Sequence, residues 1–410
     1  MMHKKSPKIR FKGFTDDWEQ RKLGETVDYI IDNRGKNPKS YTEDGIPVID
    51  NFMIQNNRYP NLNKTNRFID AKTYNYFIRK YIEENDILVT LVGNGIGNIA
   101  LAPKTLSVII QNTLGFRFSN YDYNFMYYSL LFESPQIKKL DRGMAQPSIR
   151  QDELLSIDLN IPEFEEQQKI GQFFKKIDDT IALHQDAIQR QQDLKKALLQ
   201  KLFPVNGERI PTVRFANFKE KWEQRKLNSI VERITRKNKN LESNLPLTIS
   251  AQYGLVDQST FFKKQVASKD VSGYFLVKKG EFAYNKSYSS GYPWGAIKRL
   301  DNYDKGVLST LYIVFKPKKI ESDFLMSYYD TNFWHKEVSV RAAEGARNHG
   351  LLNISAQDFF ETELIIPIKP EEQSKIGAFF KQLDETITLH QQALDKLNLL
   401  KQSLLQKMFV

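Results

Sequence analysis

The side chains that usually carry catalysis are missing here or wrongly spaced. Cysteine is absent, which excludes thiolate catalysis, disulfides and cysteine–metal sites and fits a reducing, cytoplasmic setting. The five histidines, His3, His184, His335, His349 and His390, include no pair at metal-ligand spacing. Residues 92–98 read VGNGIGN after strand-like text, which superficially matches a dinucleotide fingerprint. That fingerprint must open a helix. Here IALAPKTLSVII follows, with a proline and β-branched residues, so the segment reads as a turn between strands. Asn37-Pro38 continues as Lys39, without the second proline of the amino-methyltransferase Asn-Pro-Pro-aromatic motif. There is no Walker lysine motif, no H-E-x-x-H and no nucleophile elbow. The sequence therefore points away from an enzyme acting on its own.

The residue types that do cluster are those that contact duplex DNA. The net charge is +11, a balance that favours an anionic partner. Lys and Arg attract phosphates, while Arg, Lys, Asn, Gln and Ser read base edges. In the first half the candidates are Asn33, Arg34, Lys36 and Lys39 in a Gly/Asn/Pro-rich loop, Asn94 in the Gly-rich turn, and Arg142, Gln146, Ser148 and Arg150 in a later loop. In the second half they are Arg233, Arg236, Lys237 and Lys239, then Lys286, Ser287, Tyr288 and Ser289 in the turn matching Asn94, then Arg341, Arg347, Asn348 and His349. Their recurrence at corresponding places is the signal.

That correspondence exists because the 410-residue chain is a tandem duplication of about 205 residues. Residues 10–23 (RFKGFTDDWEQRKL) and 214–227 (RFANFKEKWEQRKL) share nine of 14 positions. Residues 170–202 and 376–408 align without gaps and share 18 of 33. Between these repeated ends the halves diverge, keeping only a pattern of strand pairs, an amphipathic stretch and a loop, the loop being six residues longer in the second half. Trp18 and Trp222 read as packing anchors of the repeated openings. Hydrophobic residues make up 40% of the chain, enough for sizeable cores, and no apolar run approaches the roughly 18 residues of a membrane span.

The repeated ends predict two long helices. Steps of four and three give a heptad seam through Ile177, Ile181, His184 and Ile188, and through Leu383, Ile387, His390 and Leu394. Glu165-Glu166 and Glu371-Glu372 place acids near the helix starts. Thirty-three residues of helix span roughly 50 Å, the length of a spacer. The economical arrangement is antiparallel pairing about a pseudo-twofold axis, with His184, His390, Lys195 and Lys401 as polar seam residues that fix register. The helices account for only two of the eleven net positive charges, so the excess sits in the divergent units. The expected organisation is 1–24, a repeated opening; 25–163, the first divergent unit; 164–203, a helix; 204–228, linker and second opening; 229–368, the second unit; and 369–410, the second helix.

With the duplicated RF..F...WEQRKL openings, the IPEFEEQQKIGQFF and IPIKPEEQSKIGAFF junctions, the LLQKLFP and LLQKMFV ends and the QPSIRQDELLSIDLNIP stretch, the whole chain resembles a specificity subunit of a type I restriction–modification enzyme. The resemblance implies an α+β fold: two pseudo-twofold-related mixed α/β target recognition domains joined by two long antiparallel helices in a coiled coil. It implies that each domain reads one half of a bipartite site in double-stranded DNA, asymmetric here because the domains differ. The helices would set the half-site spacing and dock two methyltransferase (M) subunits, through which restriction (R) subunits join. The chain itself would hold no cofactor; S-adenosylmethionine would belong to the methyltransferase, and ATP and Mg to the restriction subunit. Phe173, Leu199, Phe379 and Leu405 lie off the seam and are candidates for docking. The alternative is a coiled-coil DNA-binding scaffold that does not direct methylation.

Overall fold

The computed structural model describes residues 6–35, 37–55, 57–142, 147–205, 207–250, 254–262, 267–287, 292–342 and 352–410. The chain divides into two compact units, one of residues 1–186 with 391–410 and one of residues 187–390. Each long helix is thus shared between the units instead of standing as a segment of its own.

The first unit opens on β1 (Glu19–Lys22) and β2 (Tyr29–Ile31), followed by a short helix α1 (Ala71–Phe77). Then come β3 (Ile87–Thr90), β4 (Ile99–Leu101), β5 (Thr113–Arg117), helix α2 (Tyr123–Lys139) and β6 (Asp158–Ile161). Helix α3 (Phe164–Lys201) begins here and continues into the second unit. An antiparallel sheet has the order β2-β5-β3-β4, and β1 pairs separately with β6. In the register Ile31 lies opposite Gly115, and Gly115 opposite Leu88, so the strand exits at Asp32 and Leu91 lie at one end of the sheet. These strands are short and rich in Ile, Leu and Val, with β3 and β4 buried on both faces.

The second unit repeats the plan. It has β7 (Glu223–Lys226), β8 (Val231–Ile234), β9 (Phe282–Asn285), β10 (Ala296–Arg299) and β11 (Ile313–Pro317). Helices α4 (Ser322–Tyr329) and α5 (Phe333–Arg341), strand β12 (Glu363–Ile366) and helix α6 (Pro370–Met408) follow. The sheet order β8-β11-β9-β10 and the separate β7–β12 pair match the first unit strand for strand.

The repeated sequence has a concrete meaning in these contacts. Glu166 is fully buried, and Arg10 grips it through a fork, Nε to Oε1 at 2.7 Å and Nη2 to Oε2 at 2.8 Å. Arg214 grips Glu372 in the same way, at 2.6 and 2.8 Å. These acids do more than face a helix dipole. Each joins the repeated opening of its unit to a long helix. The adjacent glutamines also act twice. Gln167 donates to the Pro162 carbonyl and accepts from Asp122 N; Gln373 donates to the Pro367 carbonyl and accepts from Glu321 N. Gly171 and Gly377 let the helices pass close by: a Cβ at Gly171 would lie 2.8 Å from the Asn124 Cβ, and one at Gly377 2.8 Å from the Asp323 Cβ. Trp18 packs edge-on to Phe125 at 5.7 Å, and Trp222 to Phe324 at 5.9 Å, both as buried anchors.

Within each unit the helix segments run antiparallel. In the first, Phe174 meets Phe409 at 5.9 Å and Asp178 meets Lys401 at 2.6 Å. In the second, Phe380 meets Phe203 at 6.2 Å and Asp384 meets Lys195 at 2.7 Å. The seam residues Ile181, Ile188 and Leu394 are buried, and Ile177, His184, Leu383, Ile387 and His390 are half-buried. Pro204, which lacks a backbone donor, follows the end of α3. The four proposed docking residues are spent internally. Phe173 and Phe379 lie edge-on to Phe11 and Phe215 at 5.9 and 6.1 Å, and Leu199 and Leu405 are buried in the cores of the second and first units.

One buried acid sets a pH dependence. Glu133 on α2 is buried, and burial, helped by nearby Asp158, pushes its carboxyl up to about 7. The folded state therefore keeps a proton that the unfolded chain releases above its ordinary value, and stability is lost as pH rises toward 7. Glu133→Gln removes that loss. It should stabilise the first unit by about 2 kcal/mol at pH 8, with a gain at least halved at pH 5. Thermal melting at both pH values checks this, and equal gains would contradict it.

Candidate nucleic-acid interface

In the first unit four segments meet at the sheet end below the exits of β2 and β3. Residues 91–98 form the turn from β3 to β4. Gly93 and Gly97 take left-handed φ values of 95° and 69°, which glycine adopts without a Cβ penalty. The segment 147–149 zips onto this turn: Gly93 N donates to the Pro147 carbonyl and Ile149 N to the Leu91 carbonyl, each at 2.9 Å. Asn51 Nδ2 donates to the Val92 carbonyl, and Asn98 Nδ2 to the Ile54 carbonyl, tying in residues 51–54. Asn94 is left exposed at the tip. Ser148 N donates to Asp141 Oδ1, and the Ser148 carbonyl accepts from Arg142 N. Arg34 forks onto Asp32 and extends Nη2 to Gln151 Oε1 at 2.6 Å, which brings the 32–39 loop to the same place. Burial pushes the Asp32 carboxyl up, but Arg34 outweighs it and holds the group below its ordinary value.

The fold thus gathers Arg34, Asn94, Arg142, Ser148 and Arg150, and it corrects one candidate. Asn33 is 3% exposed. Its amide donates to the carbonyls of Lys80 and Ile109, and its oxygen accepts from the backbone N–H groups of Arg79 and Lys80. It is a joint between chain segments and has no capacity left to read a base. Lys39 and Arg150 are exposed, Arg150 at 3.5 Å from Asp152, and Arg142 pairs with Glu153. Lys36 and Gln146 lie outside the described residues.

The second unit builds the equivalent place differently. Lys286 follows β9; its carbonyl accepts from Leu352 N at 2.9 Å and its Nζ donates to the Ile354 carbonyl at 3.2 Å. Burial pulls the Lys286 ammonium below its ordinary value. Ser287 N is turned back onto Asn285 Oδ1. Arg341, at the end of α5, pairs with Glu337 at 2.5 Å. Two candidates are committed elsewhere. Arg236 is half-buried and bonds Glu281 and the Leu276 carbonyl, and Lys237 donates to the Gly273 carbonyl above the Phe275 ring. Both tie the segment after β8 to residues 273–281. The side chains of Arg233 and Lys239 are exposed and make no hydrogen bond or ion pair with the described residues. Tyr288, Ser289, Arg347, Asn348 and His349 lie outside the described residues.

Among the described residues no group of His, Asp and Glu is placed to hold a metal ion, and no helix is long and apolar enough to cross a membrane. The family model of the type I restriction modification DNA specificity domain matches twice, over residues 15–191 and 219–399. The chain belongs to that family. The two matched stretches coincide with the duplication, so the chain carries two specificity domains. It is 22% identical over 409 residues to the type I restriction enzyme MjaVIII specificity subunit of Methanocaldococcus jannaschii, covering 95% of this chain and 91% of that protein. It is 28% identical over 205 residues to the putative MjaX specificity subunit of the same organism, covering 49% of this chain and 46% of that protein. The crystal structure of the type I restriction–modification S subunit from M. genitalium shares the fold, with a TM-score of 0.66 at 16% identity over 99% of both chains.

Sequence reasoning missed the Arg10–Glu166 and Arg214–Glu372 forks, although the signal was present. Arginine and glutamate recur together at equivalent places in both halves, and an arginine fork fits a carboxylate in two parallel bonds.

Proposed function

We propose that this specificity subunit reads an asymmetric, two-part sequence in double-stranded DNA, one part with each unit. It directs two methyltransferase subunits to that site, and through them restriction subunits. The observation that carries the reading is one frame with two different reading edges. The sheets repeat strand for strand and the forks and helix pairs residue for residue, while the turn after β3 presents Asn94 and the turn after β9 starts with Lys286 and Ser287. The chain supplies recognition and no chemistry of its own. S-adenosylmethionine belongs to the methyltransferase, and ATP and Mg to the restriction subunit. The assembly works in the cytoplasm. The long helices set the distance between the half-sites, so adding a turn near Leu194 changes the spacing and leaves both half-site sequences intact.

Long-read methylation mapping of cells with and without this chain, in the presence of the companion methyltransferase, tests the proposal. A gained motif of two short, different parts separated by unspecified bases is expected. Replacing residues 25–160 with the first domain of another family member should change one part only. If the chain copurifies with the methyltransferase and no motif is gained, it is a DNA-binding scaffold that does not direct methylation.

A further inference from the structure

Four of the arginines among the candidates are held by acids: Arg34 by Asp32, Arg142 by Glu153, Arg236 by Glu281 and Arg341 by Glu337. Helix α1 of the first unit is different. Asp70 caps it by accepting from Thr73 N at 2.6 Å, and Tyr74 and Phe77 pack it onto buried Ile69 and Ile78. The opposite face carries Lys72, Asn75 and Tyr76, with Arg79 just beyond the last turn, and all four are exposed. Tyr76 is 86% exposed. None of these side chains makes a hydrogen bond or ion pair with the described residues. Residues 64–80 hold five basic side chains and one acidic, and the acid is the helix cap.

The place of α1 matters as much as its composition. The backbone N–H groups of Arg79 and Lys80 both donate to Asn33 Oδ1, at 3.3 and 3.1 Å. Asn33 therefore latches the end of α1 to the 32–39 loop, which Arg34 joins to Gln151 beside the β3–β4 turn. An uncommitted face of Lys, Asn, Tyr and Arg thus adjoins the reading segments. Duplex DNA complements it: cations for phosphates, an amide that pairs bidentately with adenine, and a ring for a thymine methyl.

Building on the proposed function, we infer that α1 is a further DNA-reading element of the first unit, with Asn75 and Tyr76 on base edges and Lys72 and Arg79 on flanking phosphates. The test uses the full chain with its companion methyltransferase. Methylation mapping with Asn75→Ala and with Tyr76→Ala should show one part of the motif relaxed, with about tenfold less discrimination at one base pair, and the other part and the spacing intact. For Lys72→Ala with Arg79→Ala, binding to a duplex of random sequence should show a salt slope smaller by about 2. Wild-type motif and wild-type slope in these variants would overturn the inference. Loss of both parts at an unchanged melting temperature would also overturn it, since α1 would then act on assembly. A wild-type chain that yields no two-part motif would count against the proposed function, and the salt slope would still decide whether α1 meets DNA.

Discussion

Arg10→Ala should destabilise the first unit by about 3–5 kcal/mol, because it leaves the fully buried Glu166 carboxylate without its cation. The loss has little to do with the helix dipole and much to do with desolvation. Glu166 has no access to water, and both its oxygens are taken by one guanidinium. Arg214→Ala should do the same to the second unit, tempered by the indole N–H of Trp222, which donates to Glu372 at 3.3 Å. Denaturant unfolding of the single variants and of Arg10→Ala with Glu166→Leu forms the check. The double variant should recover most of the loss, since an apolar replacement of both partners is often neutral or better. A double variant as unstable as the single one would show that the opening segment itself, not the charge, is what matters.

The second large effect is expected at Lys195. Its ammonium lies 2.6 Å from Asp330 and 2.7 Å from Asp384, and Lys298 completes the cluster at 2.7 Å from Asp330. Burial acts against the Asp330 charge, but Lys298 and Lys195 outweigh it and hold the carboxyl below its ordinary value. Its stabilising contribution is thus present above the unfolded value, near pH 4, and is lost as pH falls through the folded one. Lys195→Met removes one of the two cations and faces a methyl group toward two acids. The second unit should lose about 3 kcal/mol at pH 7, and the deficit should shrink below about pH 4, where both acids take up protons. Melting curves across that range decide it. A deficit independent of pH would mean that Lys195 acts through packing of its stem.

The frame of the molecule was legible because evolution wrote it twice. The heptad seam, the Trp anchors and the β3–β4 turn follow from periodicity, bulk and glycine, which act locally. The candidate interface was only partly legible. Arg34, Asn94 and Arg142 were nominated from separate segments, and the backbone bonds between the 91–98 turn and residues 147–149 bring two of those segments together. Asn33 has the composition of a base reader, yet its four bonds go to Arg79, Lys80 and Ile109, which no local pattern reveals. The α1 face escaped notice because a seven-residue helix is too short for a periodic signal. Its tyrosines also divide between core and water in a way only the tertiary packing of Tyr74 decides. Lys195 and Lys401 were legible as polar seam residues, but their acids, Asp384 and Asp178, sit off the seam and emerge only with the antiparallel register.

The division of the chain also sets the order of its biosynthesis. Phe409 stacks on Phe125 and Phe132 and meets Trp18, and Asn160 donates to the Val410 carbonyl, so residues 391–410 complete the core of the first unit. A ribosome adding about 5–20 residues per second must make the whole second half before that core can close. Until then Trp18, Phe125 and Phe174 lack their partner Phe409.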